Sequence, residues 1–264
     1  MRIFFRTCLS LSAVFMVLAL SLPAQSARKA PAAKVVDPKA LAIYEQACSY
    51  MAGLKGYAFK ADILVDLVYD GTAKIQMART MDVTVQRPNA FKIVTIGDDV
   101  SATSVYDGKT FTLALDDRSL YNQLPASLDN DALVDLLSEK YSLDSPLGDM
   151  LRNETCAKVD YLSLTSLGMG FVGQTRCHHL FFQGTDMDWQ LWIEEGQKPL
   201  LRKMVITEKF MPLAPQFSAV LRDWQFADYA ASVFAFTPAP HFTRDENMFM
   251  HLKLERQGGG HAVK

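Results

Sequence analysis

Cys177-His178-His179 is the sharpest cluster of chemically able side chains in the sequence. Thiol and imidazole are metal ligands, and together they suit copper or redox chemistry. Their spacing works against it. In a strand, neighbouring side chains point to opposite faces, so only Cys177 and His179 share one. Two ligands fall short of the three or four a site needs, and no second Cys/His pair stands at zinc-site spacing. The competing reading is a strand with a buried cysteine and a histidine at its rim, and it is preferred. Neither a metal nor another cofactor is expected.

Acyl-transfer and hydrolytic chemistry find equally little. There is no Gly-X-Ser-X-Gly elbow, and His241, His251 and His261 stand near the C-terminus. Asp186, Asp188, Glu194 and Glu195 flank Trp189 and Trp192. Paired carboxylates serve glycoside hydrolysis, but a solvated strand edge explains the same residues. Gly168-Met169-Gly170 lacks the lysine and the following helix of a phosphate loop. No catalytic residue is assigned, and a non-enzymatic protein is expected.

What remains is apolar. Met51, Met77, Met81 and Met204 are flexible and polarizable, which suits a pocket for varied chains, although each also serves as ordinary core filler. Trp189 and Trp192 fall on opposite faces of a regular strand, so one of them meets solvent, a helix or a partner.

The elements that position these residues begin with a leader. Arg2 and Arg6 precede an almost wholly apolar stretch, Leu9 to Leu22, followed by Pro23 and the small-residue segment Ala24-Gln25-Ser26. Charge, apolar stretch and small-residue site, in that order, make a secretory signal peptide over residues 1–26. Cleavage is expected after Ser26, with Ala27 as the second choice and an uncleaved anchor as the competing reading. The apolar stretch is shorter than the roughly 20 residues of a spanning helix, so no transmembrane anchor is expected after cleavage. Cys8 precedes most of the apolar run, where a lipoprotein cysteine would follow it. Few cysteines and a lone acceptor-like triplet, Asn153-Glu154-Thr155, favour the bacterial periplasm over a eukaryotic secretory route. With 27 Lys+Arg against 29 Asp+Glu, the net charge is −2, and no basic run points to nucleic acid. Of Cys48, Cys156 and Cys177, the pair Cys156 with Cys177 is the preferred disulfide, and three buried free thiols are the alternative.

Residues 27–36 form an Ala/Lys-rich linker. Asp37-Pro38 then opens a helix, with Asp37 as cap and Pro38 in the first turn. Leu41, Tyr44, Cys48, Met51 and Leu54 make its apolar stripe. Tyr57 to Tyr69 alternates apolar and polar residues, Asp70-Gly71 marks a hairpin, and further strands follow to Gln123. Helical spacing returns at Leu128, Ala132, Leu133, Leu136 and Leu137, with a second short helix over Pro146 to Leu151. Strands resume over 158–163, 176–183, 189–194, 200–209 and 217–226. Phe234 to Pro238 reads as a final edge. Gly168, Gly170 and Gly173 read as turns. The expected organisation is one half-barrel domain over 37–240, a helical insertion at about 127–152, and a mostly disordered tail over 241–264 with a short helical turn at Met248 to Leu254.

Several segments together resemble a known family: Asp37-Pro38-Lys39-Ala40-Leu41, Met51-Ala52-Gly53-Leu54, Gln86-Arg87-Pro88, Tyr106-Asp107-Gly108-Lys109-Thr110, Cys177-His178-His179-Leu180, Asp188-Trp189-Gln190-Leu191-Trp192-Ile193 and Pro199-Leu200-Leu201-Arg202-Lys203. The chain is similar, from about Asp37 to Pro238, to the predicted periplasmic proteins of domain-of-unknown-function family 2092. That family in turn resembles the LolA/LolB-like lipoprotein-localisation superfamily. The resemblance implies no established activity. It implies a fold that agrees with the strand pattern: α+β, mainly antiparallel β, a strongly curved half-barrel sheet with helices covering an apolar concave face. Such a face either packs shut or leaves a cavity. The expected occupant is a lipid or acyl chain held by Phe59, Ile63, Ile75, Met77, Val83, Phe91, Ile93, Phe111 and Leu113, under a lid formed by Leu128 to Leu151. The alternative is a protein-interaction or envelope-sensor domain whose partner is another envelope protein.

Overall fold

The computed structural model describes residues 34–154, 156 and 161–257. The expected signal peptide, most of the linker and the end of the expected tail lie outside these residues.

Alternation builds the longest strands. Tyr57, Phe59, Ala61, Ile63 and Leu67 are buried along one face of β2 (Gly56–Tyr69), while Lys60, Asp62 and Asp66 carry its other face. β2 pairs along its whole length with β3 (Ala73–Gln86), setting Phe59 opposite Val83, Val65 opposite Met77 and Leu67 opposite Ile75. The turn between them uses Asp70 and Gly71, both at positive φ, as the right-handed twist of a hairpin favours. β4 (Ala90–Gly97), β5 (Ser101–Tyr106), β6 (Thr110–Leu115) and β7 (Leu120–Pro125) complete a first meander.

A second meander comprises β8 (Ser163–Val172), β9 (Thr175–Gln183), β10 (Met187–Glu194), β11 (Leu201–Glu208) and β12 (Gln216–Phe226). It returns through β12 to lie beside β2. The two-residue strands β1 (Val35–Val36) and β13 (Thr243–Arg244) add parallel edges. One unclosed sheet results, in the order β1-β8-β9-β10-β11-β12-β2-β3-β4-β5-β6-β7-β13. Side chains from β2 to β6 and from β11 and β12 join one core cluster, so the sheet curves strongly around its apolar side.

Helices cover that concave side. α1 (Pro38–Ala52) starts where Asp37 accepts a hydrogen bond from the Lys39 amide at 2.8 Å. It lays Ala40, Ala47, Leu41 and Tyr44 on Leu164, Leu180, Phe182 and Ile193 of the second meander. α2 (Asn130–Tyr141) and a 3-10 turn (Gly148–Leu151) cover the first meander with Leu133, Leu137, Leu147 and Leu151. The Tyr106 hydroxyl accepts from the Leu128 amide at 2.9 Å and donates to the Ala126 carbonyl at 3.1 Å, seating the approach to α2. Both helical segments lie inside the expected insertion.

Three segments depart from the sequence expectation. Residues 163–172 form β8 rather than turns. Its glycines have other tasks: Gly168, at φ +94, follows a bulge, and a Cβ on Gly170 would stand 3.4 Å from the Trp192 indole nitrogen. Phe234 ends a 3-10 turn (Ala231–Phe234) instead of an edge strand and is buried with Ala90 and Val105. The tail expected to be mostly disordered carries β13, and the helical turn expected within it at Met248 to Leu254 is the longer α3 (Met248–Gln257). Met248 and Phe249 are buried in the core, with the Phe249 ring 6.0 Å from Phe111 and 5.3 Å from Tyr141. The run Met248-Phe249-Met250-His251-Leu252-Lys253-Leu254 supplies the apolar side chains that dock the helix.

Candidate functional site

Alanines leave room where larger side chains would fill it. α1 presents Ala40 and Ala47 to the sheet, and an apolar cavity of about 160 Å³ remains beside Ala47. Tyr44, Ala47 and Met51 of α1 form one wall, Pro146, Asp149, Met150 and Cys156 the opposite one. The floor comes from alternate residues of three strands: Phe182 of β9, Trp189, Leu191 and Ile193 of β10, and Leu201, Met204 and Ile206 of β11, with Pro199 beside them. Register puts these on one face, since Trp189 stands opposite both Phe182 and Ile206, and Leu191 opposite both Leu180 and Met204.

The two walls are tied together. Cys48 of α1 is disulfide-bonded to Cys156, with Cα atoms 5.7 Å apart. The Arg87 guanidinium donates to the carbonyls of Met51 and Leu54 and to the Tyr57 hydroxyl. Tyr57 in turn donates to the Met150 carbonyl. A hydrogen-bonded path thus runs from one wall residue, Met51, through Arg87 and Tyr57 to another, Met150. Burial pushes the Tyr57 phenol up to about 12, with the Arg87 charge and hydrogen bond opposing the shift.

Polarity at the cavity is sparse. Among the described lining residues Asp149 alone is charged. Its carboxylate pairs with Arg152 at 3.0 Å, and Arg152 also reaches Asp135 at 2.8 Å. Burial, and then the nearby negative charge of Asp149, push the Tyr44 phenol up to about 12. The Tyr44 ring meets Phe182 edge-on with centroids 5.0 Å apart. Among the described lining residues, nothing is arranged as an acid, a base and a nucleophile in reach of one another.

The residues expected to hold a ligand lie elsewhere. Phe59, Ile63, Val83, Phe91, Phe111 and Leu113 are buried in the core, and Ile93 packs against it. Phe59 stacks on Trp224 at 4.7 Å, and Phe91 lies 5.8 Å from Tyr106. Ile75 and Met77 share the concave face by register but are half-buried beyond this cluster. None of the nine lines the cavity. The segment expected to be a lid, Leu128 to Leu151, is divided: Leu133, Leu137, Leu147 and Leu151 fill the concave face of the first meander, while Pro146, Asp149 and Met150 wall the cavity. The open space lies in the second meander, under α1.

The expected pair Cys156–Cys177 is also corrected. Cys156 joins Cys48, and Cys177 is free and buried. The reason is parity: Cys177 and His179 occupy the face of β9 opposite to Phe182, so the sheet separates Cys177 from the cavity. On that convex face His179 stacks on Trp192 with centroids 4.0 Å apart, and the Lys203 ammonium lies 4.8 Å from the Trp192 ring. Burial holds the His179 imidazole below its ordinary range, against a hydrogen bond with Gln190. His178 falls on the other face, so the Cys-His-His run is split by the strand.

Among the described residues no helix is long and apolar enough to cross a membrane. A family model described as predicted periplasmic protein (DUF2092) matches residues 40–244. No curated protein matches the chain. Solved structures that align with it include an uncharacterised conserved protein of Thermus thermophilus, at 9% identity and TM-score 0.47, covering 78% of this chain and 99% of that one. The lipoprotein LppX of Mycobacterium tuberculosis aligns at 13% identity and TM-score 0.46, covering 71% and 96%. A LolA superfamily protein of Nitrosomonas europaea aligns at 12% identity and TM-score 0.40, covering 75% and 97%.

Proposed function

The chain belongs to the DUF2092 family of predicted periplasmic proteins, and from that premise we propose that it is a non-enzymatic binding or carrier protein for a lipid, an acyl chain or the lipidated part of a lipoprotein. One observation carries this reading: an apolar cavity stays open under α1 while Leu133, Leu137 and Phe249 fill the concave face of the first meander. Each methylene moved from water into such a site contributes about 0.8 kcal/mol, so even a short buried segment gives useful affinity. The tied walls preorganise the site and lower the cost of ordering it on binding. An expected signal peptide over residues 1–26 delivers the chain to the periplasm and is removed there.

Native mass spectrometry after gentle purification tests the proposal. A bound lipid mass, or saturable uptake of a fluorescent fatty acid, supports it. Protein that is ligand-free and takes up no such probe contradicts it.

A second reading, contact with another envelope protein, draws on the outer edge of β8. Among the described residues no strand pairs with it on that side beyond Leu164, the Ser166 amide donates to Asp37, and Leu167, Met169 and Phe171 are exposed there with no charged residue among them. Such edges pair readily with an extended segment of another chain. A stoichiometric protein recovered from periplasm, with no lipid, favours this reading over the first.

A further inference from the structure

Resting on the lipid-binding reading, we infer that the cavity takes the end of a single hydrocarbon chain, about six carbons deep, carried by a head group that is not an anion. Size sets the depth. A cavity of roughly 150 Å³ with apolar walls holds one benzene-sized molecule, about six heavy atoms, and this one measures about 160 Å³. Two chains side by side require about twice that volume.

The walls fix the size. To admit a second chain, α1 would have to part from the Pro146–Met150 segment. The Cys48–Cys156 bond holds them together covalently, and Arg87 and Tyr57 join the carbonyls of Met51 and Met150 by hydrogen bonds. The neighbouring concave surface offers no extension, because Leu133, Leu137 and Phe249 fill it.

Charge sets the head group. Asp149 is the sole charged residue on the described lining. Its partner Arg152 is shared with Asp135, so two carboxylates face one guanidinium and the mouth stays net negative. A carboxylate or phosphate placed there meets like charge, whereas a hydroxyl or an ammonium meets an acceptor.

The test is calorimetric binding of n-alkan-1-ols from butanol to decanol to the full chain with its disulfide intact, together with decanoate and decylamine. The expected result is an affinity gain of about fourfold per methylene up to about hexanol, then a plateau, with decanoate weaker than decanol and decylamine at least as tight. A fourfold gain that continues to decanol overturns the depth limit while leaving lipid binding intact. Decanoate binding more tightly than decanol overturns the head-group assignment. Absence of binding by every compound overturns the lipid-binding reading itself. In the C48S/C156S double variant, the plateau is expected to move to longer chains; an unchanged plateau shows that the disulfide does not set the limit. If that variant does not fold, the series on the unmodified chain still decides the depth.

Discussion

Cys48 in the first helix is bonded to Cys156, 108 residues further along the chain, and the bond crosses from one wall of the cavity to the other. The loop it closes contains the whole first meander and α2. Cross-linking so long a loop removes much conformational entropy from the unfolded chain.

Removing the bond therefore affects stability first. C48S/C156S is expected to lower the unfolding free energy by about 2–5 kcal/mol, read from denaturant titrations, and reductant is expected to reproduce the loss in the unsubstituted chain. Cys177 is buried, and burial raises its thiol above the ordinary range. It is expected to resist thiol reagents until the protein unfolds. Rapid labelling of Cys177 in the native state would contradict its placement.

Core and cavity should separate under mutation. Phe91→Ala or Phe111→Ala removes a ring packed among other rings and is expected to cost about 3–5 kcal/mol, with hydrocarbon affinity changed less than twofold. Ala47→Leu adds bulk on the cavity wall. It is expected to cost at most about 1–3 kcal/mol of stability and to weaken binding at least tenfold. Calorimetry and thermal melts on the same preparations check both halves.

Alkaline pH should unfold the protein through its buried phenols. The Tyr44 and Tyr57 pKa values are each pushed up from 10 to about 12, chiefly by burial. Between these values the unfolded chain has lost the protons that the native state keeps, so the stabilising contribution is complete below pH 10 and is lost as pH rises towards 12. Each group removes up to about 1.4 kcal/mol per pH unit in that window. Phenolate absorbance is expected to rise together with unfolding. Titration of all tyrosines near pH 10 in a still-folded protein would contradict this.

The strand pattern of the first meander was readable because Tyr57 to Tyr69 alternates without interruption and Asp70-Gly71 marks its turn. The same clarity points away from the cavity. Phe59, Phe91 and Phe111 announce an apolar face, but whether that face is filled depends on what covers it. Phe249 comes from the C-terminal stretch expected to be mostly disordered, and Ala47 leaves space through what it lacks. β8 is not legible because Gly168 and Gly170 read as turn residues, while one follows a bulge and the other makes room for Trp192. The disulfide partner turned on strand parity at Cys177, which no spacing along the chain reveals.

The central claim is that a hydrocarbon enters between α1 and strands β9–β11. A crystal of the full chain soaked with 6-bromohexan-1-ol tests it most directly, because anomalous scattering locates the bromine. The account predicts a peak among Met51, Trp189, Leu191 and Met204. A peak under α2 beside Phe59 and Phe111, or none at the cavity at saturating alcohol, would contradict it.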